Sequence, residues 1–503
     1  ILLSLLVSCH TPMAVADVAP GPAPVRRIHR SLSDRLDKYC FASSFAAGLE
    51  SDDEESFDES YIPEYAAILQ QHRIDSEQGL ETRRCHDPEF QQAVATTHTA
   101  TESSSFWVSV ANVTKSLVGI GMLTLPRAVA EAASPSVAMV GLLLCGALCA
   151  VSFFFLGYCA HLTNTETLPR LWEQTIGHSS TFFVEIIVLV DTGLSCVAFA
   201  LLIGDYMAKS VAGLCPQLPA EVTSRRTLVA VVTLVALIPL CVKRRFSLLR
   251  VSSIAGLVCT LYVFLYVTLD AIAFLLGDPI ALENAGNMAG PCDWLGALRS
   301  FGIYSCAFMA HFNAPAFYAD LEGRSPMKFA KVCGAAYCLA FLIYAAFGLA
   351  GFARFGPDVP GNALTAYDLD TKVLLMWLGM ALCMAASFPL VFFAHRDALR
   401  RLLGRSLGWP EDHRSVHHGT VTFTVVSVVV LAAAGALLED VSFVVSLCGA
   451  CSGACLAFIL PGAIMLNMSL RKDATLRLPN LAKTFISLGI VLGFLSTVAV
   501  LDP

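Results

Sequence analysis

The chain has 503 residues, of which 56% are hydrophobic and only 15% charged, with a formal net charge of −7. Its mean hydropathy of +0.65 extends over far more than the ~250–300 residues at which soluble cores stop growing. This composition excludes a secreted disulfide scaffold and a coiled coil, and an acidic chain has no electrostatic hold on a nucleic-acid backbone. A polytopic, all-α membrane protein is predicted.

Residues 1–105 stand apart. They hold 8 Lys+Arg against 17 Asp+Glu, whereas residues 106–503 hold 25 against 23. With the run Ser51-Asp52-Asp53-Glu54-Glu55 and little periodicity, they read as an acidic, largely disordered tail that buries too little apolar area to offset its ordering entropy. Residues 1–7 look like the remnant of an apolar signal-type stretch, with no initiator Met before them. The start is therefore read as incomplete, with Met13 a candidate first residue.

Apolar runs of spanning length predict eleven membrane helices, at 107–132, 136–160, 181–212, 227–242, 249–276, 298–321, 329–353, 372–394, 419–438, 441–466 and 482–501. The loops sharing a side with the tail carry 17 Lys+Arg, and the opposite loops about six. Basic loops face the cytoplasm, which puts the N-terminus inside and the short C-terminus outside or lumenal.

Most of the 18 cysteines fall within spans and read as small apolar packing residues. Cys448 and Cys451 have C-x-x-C spacing but are read as packing, with no His or acidic partner. Cys215 and Cys292 fall in loops on the oxidising side, and a disulfide between them is predicted.

Two spans are interrupted. The first carries Gly119 and Gly121 near its middle and Pro126 beyond. The sixth carries Met309-Ala310-His311-Phe312-Asn313-Ala314-Pro315. Helix breakers at membrane depth are tolerated where the freed backbone lines a cavity, and matched breaks in two halves mark a five-plus-five inverted-repeat transporter. Half-helix N-termini suit a carboxylate, and unwound carbonyls suit an ammonium group or small cation. The alternative for the glycines is close helix packing. Lys115, one turn before the first break, either snorkels to the tail-side surface or stands where a coupling cation would bind. Asp191, the only acid deep in a span, is its candidate partner. His311 is either a proton relay or a hydrogen-bonded structural histidine. Ser387, before Pro389, offers a hydroxyl to the cavity.

Asn112-x-x-Lys115-Ser116-x-Val118-Gly119-x-Gly121-x-Leu123-x-Leu125-Pro126 resembles the first-span motif of the eukaryotic amino acid/auxin permease family. Ala307-Phe308 through Tyr318, Ser387-Phe388-Pro389-Leu390 and Phe458-Ile459-Leu460-Pro461-Gly462 resemble its sixth, eighth and tenth spans, so the resemblance covers about 106–503. It implies an APC/LeuT-like carrier of eleven spans with broken helices 1 and 6, moving small neutral amino acids by alternating access. Substrate carboxylate is expected at Gly119, Ile120, Gly121 and Met122, and the ammonium end near Phe308, His311 and Asn313. Lys115, Asp191 and Ser387 are the candidates for ion coupling. Sodium-coupled relatives often carry Asn at the position of Lys115 and Thr at that of Ser387, so the cation here favours proton-coupled or facilitated transport over sodium coupling. The resemblance also supports the Cys215–Cys292 link.

No catalytic residue, metal site or cofactor is expected, because the spans hold only Asp191, His311 and acids near their ends such as Asp205. The expected partners are an amino acid and the lipid bilayer of a plasma or vacuolar/lysosomal-type membrane, with the protein a monomer. The rival reading is an amino-acid-sensing transceptor that signals through the tail.

Overall fold

A computed structural model describes residues 104–132, 134–242, 247–277, 293–407, 417–470 and 478–502; of 247–255, 405–407 and 417–420 it describes the backbone. Residues 1–103, and with them nearly all of the acidic tail, lie outside the described residues, as does Cys292.

The described residues are almost entirely helical. The first span comprises α1 (Phe106–Leu117) and α2 (Leu125–Glu131), joined by a 3-10 turn over Ile120–Thr124. Next come α3 (Pro135–Thr163), a short α4 (Leu168–Thr175) and the long α5 (Thr181–Leu214). Helices α6 (Arg225–Val232) and α7 (Ile238–Val242) are the two ends of one span, joined by a π-helical turn, and α8 (Ser247–Gly277) follows. The sixth span is α9 (Trp294–Ala307) and α10 (Ala314–Ala319). After it come α11 (Pro326–Phe355), α12 (Thr371–Leu407) and α13 (His417–Leu437). Then α14 (Val441–Cys448) runs through two π-helical turns into α15 (Leu460–Leu470), and α16 (Pro479–Leu501) closes the chain.

Among the described residues, eight helices are long and apolar enough to cross a membrane, or nine when the bent pair at 106–131 counts as one. The two expected spans outside that set are the sixth, divided at its break, and the ninth, whose apolar stretch is Val421–Leu437.

Spans 1 and 6 run antiparallel and touch at the tail side, midway and at the far side. At the tail side Ser104 N–H donates to Asp320 O (2.8 Å), and Glu322 N–H donates to Ser104 O (3.1 Å). Midway, Gly121 meets Ala307. At the far side Ser300 Oγ donates to Ala128 O (2.8 Å), and Gly296 lies against the Glu131 carbonyl. Antiparallel adjacency is what an inverted repeat requires of its two first helices.

Lipid tails offer no hydrophobic drive between helices, so close backbone approach through small residues holds them together. Glycine supplies it where α9 crosses α14: Gly302 and Gly449 bring backbone against backbone, and Ser446 Oγ donates to Arg299 O (2.7 Å). Helices α5 and α12 pack as a long pair, joined near the tail side by Arg401–Glu185 (3.1 Å).

Candidate functional site at the helix breaks

The first span loses its helical winding at Val118 (φ −75°, ψ 93°) and Gly119 (φ −139°, ψ −146°), and its two halves meet at 53°. The prolines have a role that the sequence reading missed. Pro126 and Pro315 lie in the first turns of α2 and α10, where a missing N–H costs no hydrogen bond and the fixed φ is already helical. They start the second halves and do not cause the breaks.

Each break leaves a carbonyl at the C-terminus of its first half, and one side chain reaches both. Tyr344 Oη lies 2.5 Å from Leu117 O, at the end of α1, and 2.8 Å from Ala307 O, at the end of α9. One turn pair earlier on α11, Tyr337 Oη donates to Phe308 O (3.3 Å). Residues seven apart share a helix face, and the same face continues through Gly348, against Leu125 and Val129, to Gly351, against Pro126. Span 7 is thus the brace for both interruptions. The signal was in the sequence, as two tyrosines and two glycines on one face of an apolar helix, but a tyrosine in a span reads as packing until its hydroxyl has a partner.

The predicted substrate residues divide. Gly119 is exposed, and a methyl added there would meet nothing closer than Leu117 O at 3.9 Å. Ile120 is half-buried, whereas Gly121 and Met122 are buried. A methyl at Gly121 would lie 2.8 Å from Ala307 Cα, so this glycine serves packing while Gly119 keeps open backbone. The Phe308 ring is fully buried away from Gly119, set against Gly146, Tyr337 and Tyr344. The ring therefore sits in packing, whereas the sequence reading put Phe308 near the ammonium end of the substrate. His311 is also fully buried, with Nε2 2.8 Å from Ser152 Oγ and 3.2 Å from Cys149 O, the arrangement of the structural alternative. Its Nδ1 has no hydrogen-bond partner among the described residues. Asn313 is half-buried in the 3-10 turn that opens α10.

Lys115 is half-buried on α1, beside the exposed Asn112, Ser116 and Gly119. The structure gives Asp191 other partners than this lysine. Its Oδ1 accepts from Ser452 Oγ (3.0 Å) and from Cys448 Sγ (3.4 Å), where span 10 is π-helical. Cys448, read as packing without an acidic partner, therefore has one. The pairing joins spans 3 and 10, a proximity that sequence spacing cannot report. Ser387 is half-buried on α12, which continues through Pro389. Cys215 ends α5, and its expected partner Cys292 is outside the described residues.

On the far side a cleft of about 530 Å³ is lined by charges of both signs, among them Arg127, Asp205, Lys209, Asp358, Glu439 and Asp440. Arg225 (3.4 Å) and Asn362 (3.4 Å) hold Asp205, and Lys209 Nζ donates to Thr365 O (2.5 Å). Except for Asp205, these residues were not singled out from the sequence.

Residues 102–501 match the family described as transmembrane amino acid transporter protein. Amino acid transporter AVT6E of Arabidopsis thaliana is 24% identical over 388 residues, spanning 74% of this chain and 78% of the relative. Sodium-coupled neutral amino acid transporter 7 of Xenopus laevis is 23% identical and spans 71% of this chain and 80% of its own. Among solved structures, MhsT in complex with L-phenylalanine covers 78% of this chain and 96% of that one, at a TM-score of 0.47 and 15% identity. A sodium-coupled sialic acid symporter covers 80% and 92%, at 0.46 and 11%.

Proposed function

The chain belongs to the transmembrane amino acid transporter family, and we propose that it carries small neutral amino acids by alternating access, driven by protons or by exchange and not by sodium. The observation that carries this reading is the meeting of two interrupted antiparallel helices, with open backbone at Gly119 beside the packed Gly121–Ala307 contact. A zwitterion suits such a place, because free amides at the start of a half-helix attract its carboxylate and freed carbonyls attract its ammonium group. Substrate would enter beside Gly119 and Ile120, with Asn313 among the groups offered to its ammonium end.

The polar face of α1 supports a passage on the tail side. Helix α1 packs against α11 and leaves Asn112, Ser116 and Gly119 exposed. Polar groups at that depth are expensive against lipid and face protein or water instead. On this reading the structure is open to the cytoplasm, where the basic loops lie, and the far-side cleft is the closed entrance. A plasma or vacuolar/lysosomal-type membrane fits equally. Asp191 is the candidate proton carrier. Cys448 and Ser452 on span 10 face it, and the π-helical turn there gives a proton-sensitive joint between spans 3 and 10.

The test is uptake of a radiolabelled neutral amino acid into proteoliposomes bearing the full chain, with imposed pH or sodium gradients. A pH gradient or preloaded amino acid should accelerate uptake, and a sodium gradient should not. Uptake that follows only sodium would overturn the coupling. Absence of uptake for every amino acid under every gradient would overturn the carrier.

A further inference from the structure

We propose that Ser452 is the switch that passes protonation of Asp191 to the broken sixth span, by moving its hydroxyl proton between two acceptors at the π-helical turn of span 10. The inference deepens the reading of Asp191 as the proton carrier and rests on it.

The Ser452 hydroxyl has one proton and two acceptors within reach. Its Oγ lies 2.7 Å from Cys448 O, one turn earlier in the same span, and 3.0 Å from Asp191 Oδ1 on α5. Asp191, Cys448 and Ser452 are all buried. An ionised Asp191 only accepts, and it draws the serine proton because a charged acceptor makes the stronger hydrogen bond. A protonated Asp191 has an O–H of its own to donate. Ser452 Oγ then accepts from it, and the serine proton turns back to Cys448 O. The proton that arrives stays on the carboxylate, and the serine O–H only rotates.

One carboxylate governs this exchange. No charged side chain among the described residues bears on Asp191. The other titratable groups near it are the Cys448 thiol, whose Sγ donates to Oδ1 at 3.4 Å, and Cys196 farther along its own helix. His395, on α12, packs on another face of α5, with Nδ1 3.2 Å from Leu189 O and 3.5 Å from Thr192 Oγ1.

Cys448 O stands where the winding changes, since α14 ends at Cys448 and the π-helical turn covers Gly449–Gly453. Residues four apart share a face, and the two faces of this stretch have different neighbours. Cys448 and Ser452 turn to Asp191. Gly449 and Gly453 turn to α9: a methyl on the first would lie 2.7 Å from the Cys306 amide nitrogen, and one on the second 2.8 Å from Ser305 Oγ. Ser305 and Cys306 belong to the last turn of α9, which ends at Ala307 where span 6 breaks. Glycine leaves no side chain between the two helices to absorb a change in winding, so the closely packed contact transmits it.

The experiment uses the full chain in proteoliposomes and a radiolabelled neutral amino acid. It measures the ratio of uptake driven by a pH gradient to exchange at equal pH. Against wild type, the ratio should hold within about twofold in Ser452→Thr, which keeps the hydroxyl, and fall about fivefold or more in Ser452→Ala. Ser452→Cys, with its weaker S–H donor, should fall between them. A structural role alone would slow both processes together; an unchanged ratio in Ser452→Ala therefore overturns the proposal, as does an order that follows side-chain size and not donor strength. If Ser452→Ala is not recovered folded, the Thr and Cys variants carry the same comparison. Collapse of the ratio in Asp191→Asn with none in Ser452→Ala would sink the switch and leave Asp191 as carrier. A wild-type ratio in Asp191→Asn would refute the carrier reading itself, and the switch with it.

Discussion

Gly121 and Ala307 touch where the two broken helices cross, so closely that a methyl on Gly121 would lie 2.8 Å from the Ala307 α-carbon and 3.0 Å from its methyl. Neither neighbour is a flexible side chain, so relief has to come from backbone movement. Gly119, two residues earlier, meets nothing closer than 3.9 Å. Gly121→Ala is expected to destabilise the protein by about 1–3 kcal/mol, the usual range for overpacking, and to lower uptake several-fold. Gly119→Ala should leave melting nearly unchanged. Thermal unfolding in detergent, run beside proteoliposome uptake, checks both, and a variant at 121 indistinguishable from wild type would show that the helices separate without cost.

His311 is expected to act through structure. Gln at this position can place an amide N–H where Nε2 now faces Ser152 and Cys149 O. His311→Gln should therefore fold, lose about 1–3 kcal/mol through imperfect hydrogen bonding, and keep the pH profile of uptake unchanged in shape. A profile that flattens between pH 5 and 8, the range in which an unperturbed histidine titrates, would restore the relay.

Asp191→Asn keeps an acceptor for Ser452 and Cys448 while removing the ionisable group. If Asp191 carries the coupling proton, the variant should fail to respond to an imposed pH gradient and still exchange labelled for unlabelled amino acid. Uptake that follows the pH gradient as in wild type would show that the proton travels elsewhere.

The α9–α14 crossing predicts a sharper contrast between glycines. A methyl on Gly449 would overlap the carbonyl of Gly302, whereas one on Gly334, in the first third of α11, would meet nothing within 4 Å. Gly449→Ala should prevent recovery of monodisperse protein. Gly334→Ala should be neutral or stabilise by about 0.5–1 kcal/mol, because glycine within a helix is unfavourable relative to alanine. Size-exclusion profiles and melting temperatures of the two purified proteins decide it.

Much of the architecture was legible because the bilayer imposes its own periodicity. Spans such as Pro135–Thr163 and Pro479–Leu501 announce themselves as unbroken apolar length, and the interruptions at Gly119–Gly121 and Met309–Pro315 stand out against that background. The π-helical turns over Gly449–Gly453 and Cys455–Ile459 do not stand out, since Cys455–Ile459 is as apolar as an ordinary span and the small residues of Gly449–Gly453 read equally as close helix packing. The prolines show the same limit. The sequence contains a breaker at 126 and at 315, but whether it ends one helix or begins the next depends on where the chain has already unwound.

By itself, then, the order of apolar and polar residues determines that this chain enters the membrane many times and that its first and sixth crossings are discontinuous. Only the packed structure decides which freed carbonyls Tyr344 and Tyr337 satisfy, that Asp191 is held by Ser452 and Cys448, and that Phe308 points into packing. Hydropathy is a property of one segment in its solvent and survives in the linear sequence. A hydrogen bond between segments more than two hundred residues apart, such as Tyr344 to Leu117, is a property of two surfaces brought together, and no local pattern records the pairing.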